Sequence, residues 1–221
     1  DPDGMNPVAT EPPRVVPTLP LGANSRVAIV GASLGGLATA AGLRERGFAG
    51  EVVVVDGEHS LPPNRPPLSK EVLTGERSIE ESLQPEAVNV EALGLDLRLG
   101  MRALALDVEH RVLTTDDGAG IEADAVVLAG GSEPRLPPIP GALRPGVHVL
   151  RTAADALGLR AAFAEVPARV LVVGAGFIGL EVASSARSLG LEVTVVEALA
   201  TPASRVLPVE AGAALAKVAM A

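Results

Sequence analysis

The chain contains 221 residues, of which 48% are apolar and 20% charged, and its formal net charge is −9. This length and composition predict one or two globular domains and exclude collagen-like or wholly disordered chains. Cysteine is absent, which excludes a disulfide framework, a redox-active dithiol, a thiolate nucleophile and a cysteine-ligated metal site. The acidic balance and the content of three aromatic residues, all phenylalanine, argue against nucleic-acid binding, which relies on basic patches and stacked rings.

The first 25 residues contain six prolines and no helical or strand periodicity, so the sequence predicts a disordered, proline-rich leader over residues 1–25. No basic start followed by an apolar stretch is present, so no secretory signal is predicted and a cytoplasmic protein is the expectation. The stretch from Val27 to Leu43 reaches the lower length limit of a membrane span. Its glycines and hydroxyl residues favour a strand, a turn and a helix instead, so no membrane contact is predicted.

Two segments of the chain show the same order of strand, glycine-rich turn, helix and strand. In the first, RVAIV at 26–30 and EVVVVD at 51–56 are predicted strands that flank a helix over about 34–46. In the second, RVLVV at 169–173 and EVTVVE at 192–197 flank another predicted helix. The sequence therefore predicts an α/β fold that contains two Rossmann-like βαβ units.

The residues between these two units divide into a proline-rich loop, a strand region and a linker. LPPNRPPLSK at 61–70 holds four prolines, which predicts an ordered loop without regular secondary structure. Alternating apolar residues in LDLRL, ALALDV and RVLTT predict a β-meander, which a strand over 124–129 closes. Prolines between 134 and 140 mark a linker, and a helix is predicted over about 152–165.

The second glycine-rich turn, GAGFIG, has the pattern that binds a dinucleotide. Gly174 permits the tight turn, Gly176 lets the backbone approach a pyrophosphate, and Gly179 lets the helix pack on the strand. Glu197 follows at the spacing of an acid that binds a ribose, and its charge would repel the 2′-phosphate of NADP, so NAD is favoured. The alternatives are a packing turn rich in glycine and a solvated acid at the end of a strand.

The first glycine-rich turn, GASLGG, departs from this pattern at one position, because Ser33 stands where the second glycine is expected. Serine is small, and its hydroxyl can donate to a phosphate, so nucleotide binding remains the prediction. Two acids, Asp56 and Glu58, compete for the ribose hydroxyls at the end of the following strand. The candidate contacts of the turn itself are Gly31, Ser33, Gly35 and Gly36.

Four segments together resemble the FAD-dependent NADH:ferredoxin reductases, the family of putidaredoxin and rubredoxin reductases, over residues 26 to about 212. The segments are RVAIVGASLGGLATAAGLRERGF, RPPLSKEVL, VVLAGGSEPRLPPIPG and VLVVGAGFIGLEVA. The resemblance implies that the first turn binds FAD and the second NADH. It further implies that hydride passes from nicotinamide to flavin and that single electrons leave to a ferredoxin or rubredoxin-like iron-sulfur protein.

The same resemblance assigns roles to individual residues. Lys70 and Glu181 would form a catalytic pair near the reacting ring. Lys70 is one of two lysines among 18 basic residues, so an ammonium stands where arginine is the usual choice of this sequence. The residues that would lie against FAD are Arg65, Lys70, Gly130 and Arg135. The three histidines lack metal-ligand spacing, so no metal site is predicted.

The sequence also departs from the family pattern. Ala129-Gly130-Gly131 replaces the family's Ala-Thr-Gly, Pro63 replaces an aromatic residue, and no Gly-Asp dipeptide is present to bind the ribityl chain. The chain ends 24 residues after Glu197, short of a whole dinucleotide-binding domain. The expectation is a truncated reductase: residues 26–145 as the first segment of an FAD-binding domain and residues 146–221 as an incomplete NAD-binding domain.

Two other functions remain open at this point. One is an NADH oxidase or a flavoprotein similar to apoptosis-inducing factor, which would pass electrons to oxygen or a quinone. The other is a catalytically silent nucleotide-binding fragment that acts by association. The absence of cysteine excludes the dithiol enzymes of this fold, those similar to glutathione reductase and thioredoxin reductase.

Overall fold

A computed structural model describes residues 21–82, 89–165 and 169–219. Most of the predicted leader, and thus its predicted disorder, lies outside these residues. Residues 21–25, by contrast, form a turn in which the amide of Ser25 donates to the carbonyl of Gly22 at 3.0 Å, and Leu21 packs against the core of the first unit. The ordered fold therefore begins before the first strand.

The described residues contain nine strands and five α-helices. The strands are β1 (Arg26–Val30), β2 (Glu51–Asp56), β3 (Asp96–Leu99), β4 (Ala103–Asp107), β5 (Val112–Thr115), β6 (Gly120–Glu122), β7 (Ala125–Leu128), β8 (Arg169–Val173) and β9 (Glu192–Val196). The helices are α1 (Leu34–Glu45), α2 (Glu71–Thr74), α3 (Ala153–Ala164), α4 (Phe177–Ser188) and α5 (Val209–Ala219). None of these helices combines the length and apolarity needed to cross a membrane.

The first unit is built on a parallel sheet in the order β3-β2-β1-β7. Its central strands are covered on both faces, which explains their unbroken apolar sequence. Val52 and Val54 face a cluster that includes Ala40 of α1, whereas Val53 and Val55 face a cluster with residues of β5 and β6. All four valines of β2 are at most 1% exposed, and burial of each side chain contributes about 1.5–3 kcal/mol.

The predicted β-meander is present, but the assignment of LDLRL to it is wrong. The strand predicted over 124–129 does not close the meander either, because β7 pairs in parallel with β1. The antiparallel sheet has the order β4-β5-β6, with the short strand β6 in the third place. LDLRL forms β3, which pairs in parallel with β2. The leucines of this segment pack against the α1 side of the first unit, so burial on the edge of the parallel sheet outweighs the alternating pattern, which does not distinguish the two sheet types.

The second unit consists of the parallel pair β8 and β9 with α4 packed on one face. The other face of this pair is exposed. It carries Leu171, Val173 and Val196, which are 63%, 56% and 43% exposed, and we refer to it as the open face. In the first unit the corresponding face is covered by the antiparallel sheet, so the two units share a motif but differ in how fully it is buried.

The proline-rich loop has more regular structure than its sequence predicts. Residues Pro66–Ser69 form a 3₁₀ turn, and α2 follows directly. Prolines occupy the first two positions of the turn, where no intrahelical partner for an amide is needed, so they do not break it. Leu68 and Val72 pack with Ala156 of α3, and Leu73 packs with Val182 of α4. The loop therefore joins the first unit to the second.

Candidate functional site

The two glycine-rich turns have the same backbone geometry. The amide of Gly31 donates to the carbonyl of Val55, and that of Gly174 to the carbonyl of Val196, both at 2.8 Å. Their φ angles are +103° and +101°, in the region that favours glycine. Each turn directly precedes a helix, so the free amides at the start of α1 and of α4 are available to an anion.

The third glycine of each turn is required by packing within the protein. A Cβ on Gly36 would overlap the carbonyl oxygen of Gly31, and a Cβ on Gly179 would overlap that of Gly174. Gly35 has no such constraint, since the nearest atom to a Cβ there is the Ala129 Cβ at 3.8 Å. Gly36 and Gly179 thus set the distance between helix and strand.

The second position of each turn is open. A Cβ on Gly176 would meet no atom within 4 Å, and the φ of −75° there suits any residue. Ser33 occupies the equivalent position with a similar extended backbone, and its side chain makes no capping hydrogen bond. Packing within the described residues therefore does not require glycine at position 176. The space beside both turns therefore fits a ligand that approaches the backbone, as a dinucleotide does.

Asp56 and Glu197 occupy equivalent places at the ends of β2 and β9. Asp56 accepts hydrogen bonds from the amides of Ala32 at 2.6 Å and Glu58 at 2.8 Å. Glu197 accepts from the amides of Ala175 at 2.7 Å and Leu199 at 2.9 Å. The hydrogen bonds from these amides lower the pKa of Glu197, and the bond from the Leu199 amide has the larger effect.

Of the two acids predicted to compete for the first ribose, Asp56 therefore matches Glu197 in position, whereas Glu58 does not. Loss of hydration and the nearby charge of Asp56 raise the pKa of Glu58, while Arg65 opposes the rise. Glu58 belongs instead to a charged cluster beside the turn.

Two guanidinium groups converge in this cluster. A Cβ on Gly131, whose φ is +72°, would lie 3.1 Å from Nη2 of Arg151 and 3.8 Å from Nη2 of Arg65. Loss of hydration and the charge of Arg151 lower the pKa of Arg65. Neither arginine forms an ion pair among the residues that the structure describes. Two like charges that converge without a salt bridge to the nearby carboxylates suit a phosphate, which guanidinium groups bind in bidentate fashion.

Sequence reasoning did not identify Arg151. It stands one residue before Thr152, whose hydroxyl accepts from the amide of Asp155 in a capping box at the start of α3. The Asp155 carboxylate also accepts from the amide of Arg151 at 2.9 Å, which fixes the backbone from which the guanidinium extends. The capping-box pattern is visible in the sequence, but the approach of Arg151 to Gly131 is a long-range contact.

The segment after β7 passes over the first turn. The amide of Ala129 donates to the carbonyl of Val30 at 2.8 Å, and a Cβ on Gly31 would overlap the carbonyl oxygen of Ala129. Gly130 is exposed with open space beside it. Arg135 is exposed as well, and the structure does not bring it into hydrogen-bonding contact with the turn. Gly130 thus lies beside the first glycine-rich turn, as predicted. For Arg135, the proposed contact with FAD is supported only by its position in the sequence motif.

Lys70 and Glu181 form an ion pair between the two units. The Lys70 Nζ lies 3.1 Å from Oε2 of Glu181, with side chains 41% and 39% exposed. The Ser69 hydroxyl donates to the same oxygen at 2.6 Å. Burial raises the pKa of Glu181, but the hydrogen bonds from Ser69 and Lys70 outweigh it, so the pKa is lowered. A single carboxylate thus joins the proline-rich loop to α4.

The structure thus contains two glycine-rich turns of equal geometry and an ion pair that joins the proline-rich loop to α4. The described residues contain no cluster of three or more histidine, aspartate and glutamate side chains that could hold a metal ion.

Comparison with known proteins decides the family. The model of the family "Pyridine nucleotide-disulphide oxidoreductase" matches residues 25–221. The chain belongs to this family. The predicted α/β fold with two βαβ units and the family resemblance are confirmed. Although the family description names a disulphide, this chain contains no cysteine, so any electron transfer through it does not use a dithiol of its own.

Two curated relatives that the chain resembles are both named as reductases. The chain is 40% identical over 181 residues to "Rhodocoxin reductase" of Rhodococcus erythropolis, covering 82% of this chain and 42% of the relative. It is 40% identical over 175 residues to the "Benzene 1,2-dioxygenase system ferredoxin--NAD(+) reductase subunit" of Pseudomonas putida, covering 79% and 42%. The chain therefore spans about two fifths of the length of these relatives.

Solved structures show the same likeness. The putidaredoxin reductase–putidaredoxin complex matches with a TM-score of 0.80 and 31% identity over 89% of this chain and 48% of the other. A ferredoxin reductase from Rhodopseudomonas palustris matches with a TM-score of 0.82 and 34% identity over the same shares. A water-forming NADH oxidase from Lactobacillus brevis matches at 0.78 with 24% identity over 88% and 44%, which shows the fold alone.

Proposed function

We propose that the chain forms the FAD-binding segment and the beginning of the NADH-binding domain of a reductase that passes electrons to a ferredoxin or rubredoxin-like iron-sulfur protein. Residues 26–145 would form the first part and residues 146–221 the second. The observation that carries the proposal is the Lys70–Glu181 pair, because it joins the proline-rich loop of the first unit to α4, the helix that follows the second glycine-rich turn. The names of the relatives support the choice of partner.

The FAD cradle would be formed by the first turn and the charged cluster beside it. The amides at the start of α1 and the Ser33 hydroxyl would bind the pyrophosphate. Arg65 and Arg151 would add two guanidinium groups, whose mutual repulsion a phosphate would relieve. Asp56, which already holds the turn through Ala32, stands where an acid binds the ribose.

The NADH cradle would be formed by Gly174, Gly176 and Gly179, with Glu197 at the ribose. Because the amides of Leu199 and Ala175 lower the pKa of Glu197, its side chain is negatively charged at neutral pH. A negative charge here repels the 2′-phosphate of NADPH. The geometry therefore supports NADH over NADPH as the nucleotide of the second turn.

When bound, FAD supplies the redox chemistry, since the flavin accepts hydride from nicotinamide and releases single electrons. The contribution of the protein is position and charge. Lys70 presents an ammonium group that Glu181 holds in place at 3.1 Å. Beside a bound flavin, this cation would favour the reduced, more negative state of the ring.

The proposal is tested by titrating the 221-residue chain with FAD and with NADH, following flavin and nicotinamide fluorescence. We expect both to bind. Gly176→Val should abolish NADH binding and leave FAD binding and the circular dichroism spectrum unchanged, because a side chain there meets only open space. Ser33→Val should weaken FAD binding instead. A folded chain that binds neither nucleotide would contradict the proposal.

Electron transfer requires a separate measurement. NADH-dependent reduction of a ferredoxin, compared with oxygen consumption in its absence, distinguishes the proposed reductase from an oxidase. A chain that binds FAD and NADH but reduces neither acceptor would support the nucleotide-binding fragment as the correct description of this chain.

A further inference from the structure

Ser69 is bonded to helix α4 through both its hydroxyl and its carbonyl group. Its hydroxyl donates to Oε2 of Glu181 at 2.6 Å, and its carbonyl accepts from the Ser185 hydroxyl at 2.7 Å. Both serines are buried, at 4% and 6% exposure. Ser69 is the last residue of the 3₁₀ turn and directly precedes Lys70. The residue before the lysine is therefore tied to the helix that carries the glutamate.

The two partners lie one turn apart on the same side of α4. Glu181 and Ser185 are separated by four residues, which places their side chains on one face of a helix. A serine inside a helix often bonds to the carbonyl four residues earlier, but Ser185 instead donates across to the proline-rich loop. This face of α4 thus recognises one main-chain and one side-chain group of the same residue.

The Glu181 carboxylate is shared between two donors. The Ser69 hydroxyl and the Lys70 ammonium both contact Oε2. A hydrogen-bond donor fixed by burial restricts the orientation of a carboxylate more than an exposed lysine does, because the lysine side chain has four rotatable bonds and is 41% exposed. The fixed partner of Glu181 is therefore Ser69.

We propose that Ser69 is a positioning residue, which orients the Glu181 carboxylate toward Lys70 and is itself anchored by Ser185. The inference rests on the proposed function only in so far as the pair borders the flavin. Its direct consequence concerns the protein alone. Without the Ser69 hydroxyl, burial of Glu181 is opposed by Lys70 only, so the pKa of Glu181 rises. Lys70 is the charged group that acts on this carboxylate.

The composition makes a direct test possible. The chain has two lysines, Lys70 and Lys217, so biosynthetic labelling with lysine carrying ¹³C at Cε gives two side-chain resonances. The Lys70 resonance senses protonation of Glu181, because Nζ lies 3.1 Å from its carboxylate. Lys217, on α5, is the internal reference. The titration needs no bound nucleotide, so it remains informative if the chain fails to bind FAD.

In an acid titration, the Lys70 resonance reports the midpoint of Glu181 protonation. Ser69→Ala should move this midpoint to higher pH by more than the experimental error. Ser69→Thr, which restores a hydroxyl, should return the midpoint toward that of the unaltered chain. Ser185→Ala should give a smaller shift in the same direction, because it removes the anchor and leaves the hydroxyl. Ser184→Ala, an exposed serine on the same helix, is the matched control and should change nothing.

An unchanged midpoint in folded Ser69→Ala would overturn the positioning role, and an unchanged midpoint in Ser185→Ala would overturn the anchor. If Ser69→Ala does not fold, the titrations of Ser69→Thr and Ser185→Ala decide instead. A midpoint that matches the unaltered chain in Ser69→Thr and moves upward in Ser185→Ala supports the proposal, and any other pair of results contradicts it.

Discussion

Asp56 and Glu197 are related by the repeat of the βαβ unit: each carboxylate accepts a hydrogen bond from the alanine that follows the first glycine of its turn, at 2.6 Å and 2.7 Å. Each acid thereby ties the end of the second strand to the glycine-rich turn. Binding of a ribose is the second role that we propose for these acids, besides this structural role. Substitutions can test both roles.

Asp56→Ala should lower both stability and FAD affinity. It removes hydrogen bonds from Ala32 and Glu58 in a half-buried site, so we expect a loss of about 1.5–3 kcal/mol in the free energy of unfolding. Urea unfolding and an FAD titration measure the two effects. Asp107→Ala is the control, since Asp107 also accepts a backbone hydrogen bond but lies in the antiparallel sheet. Asp107→Ala should leave FAD affinity unchanged. An equal loss of FAD affinity in both variants would contradict a role of Asp56 at the ribose.

Gly36→Ala and Gly35→Ala should have opposite effects on stability, although the two glycines are adjacent. A Cβ on Gly36 overlaps the Gly31 carbonyl, so the helix must shift and the free energy of unfolding falls by about 1–3 kcal/mol. A Cβ on Gly35 makes ordinary contact at 3.8 Å, and alanine is preferred to glycine in a helix by up to about 1 kcal/mol. Thermal unfolding followed by circular dichroism tests the pair. Equal destabilisation would show that the turn is packed differently.

Arg151→Gln should weaken FAD binding without destabilising the chain. The substitution removes one of two converging positive charges, so the repulsion that lowers the pKa of Arg65 disappears in the free protein. One charge-assisted contact to a phosphate contributes about 1.5–3 kcal/mol, which corresponds to a loss of roughly tenfold or more in affinity. Arg144→Gln, in the exposed linker, is the matched control. A loss of stability with unchanged affinity would indicate a structural role for Arg151.

Glu58→Gln and Glu181→Gln should change stability in opposite directions at neutral pH. The pKa of Glu58 is raised in the fold, so its ionised form opposes folding above its ordinary range, and removal of the charge stabilises the chain. The pKa of Glu181 is lowered, so its ionised form favours folding above the ordinary value, and this contribution disappears as the pH falls through the folded pKa.

The measurement is the free energy of unfolding of both variants at pH 7 and at a pH below 4. The difference for Glu58→Gln should shrink at the lower pH, because the raised pKa of Glu58 leaves its carboxyl protonated there, whereas the difference for Glu181→Gln should shrink only as the pH falls through the lowered pKa of Glu181 in the folded chain. Differences that are independent of pH would assign the effects to packing.

The glycine-rich turns were predictable because their constraints are local. A glycine whose position requires a positive φ, as at Gly31 and Gly174, and a helix that begins three residues later can be recognised within ten residues of sequence. The strands β1 and β2 were predicted nearly to the residue, since burial on both faces gives unbroken apolar runs such as Val52–Val55. The strands β8 and β9 were predicted as well, although one of their faces is exposed, because they are rich in valine, which favours strands.

The remaining features depend on contacts between distant segments. Ser69 and Glu181 are 112 residues apart, and no local pattern indicates that their side chains meet. The same is true of Arg151 and the backbone after β7. β3 was assigned to the wrong sheet because an alternating pattern predicts a half-buried strand but does not predict which strand it pairs with.

The open face of β8 and β9 has a consequence for the dynamics of the second unit. A sheet of two strands with one face in water has little local resistance to opening, whereas β1 and β2 are covered on both sides. Backbone amides of β9 should therefore exchange with deuterium well before those of β2. Under the proposed function, the FAD cradle would then be the more stable of the two before a ligand binds, and the NADH cradle would be the one that a nucleotide stabilises more.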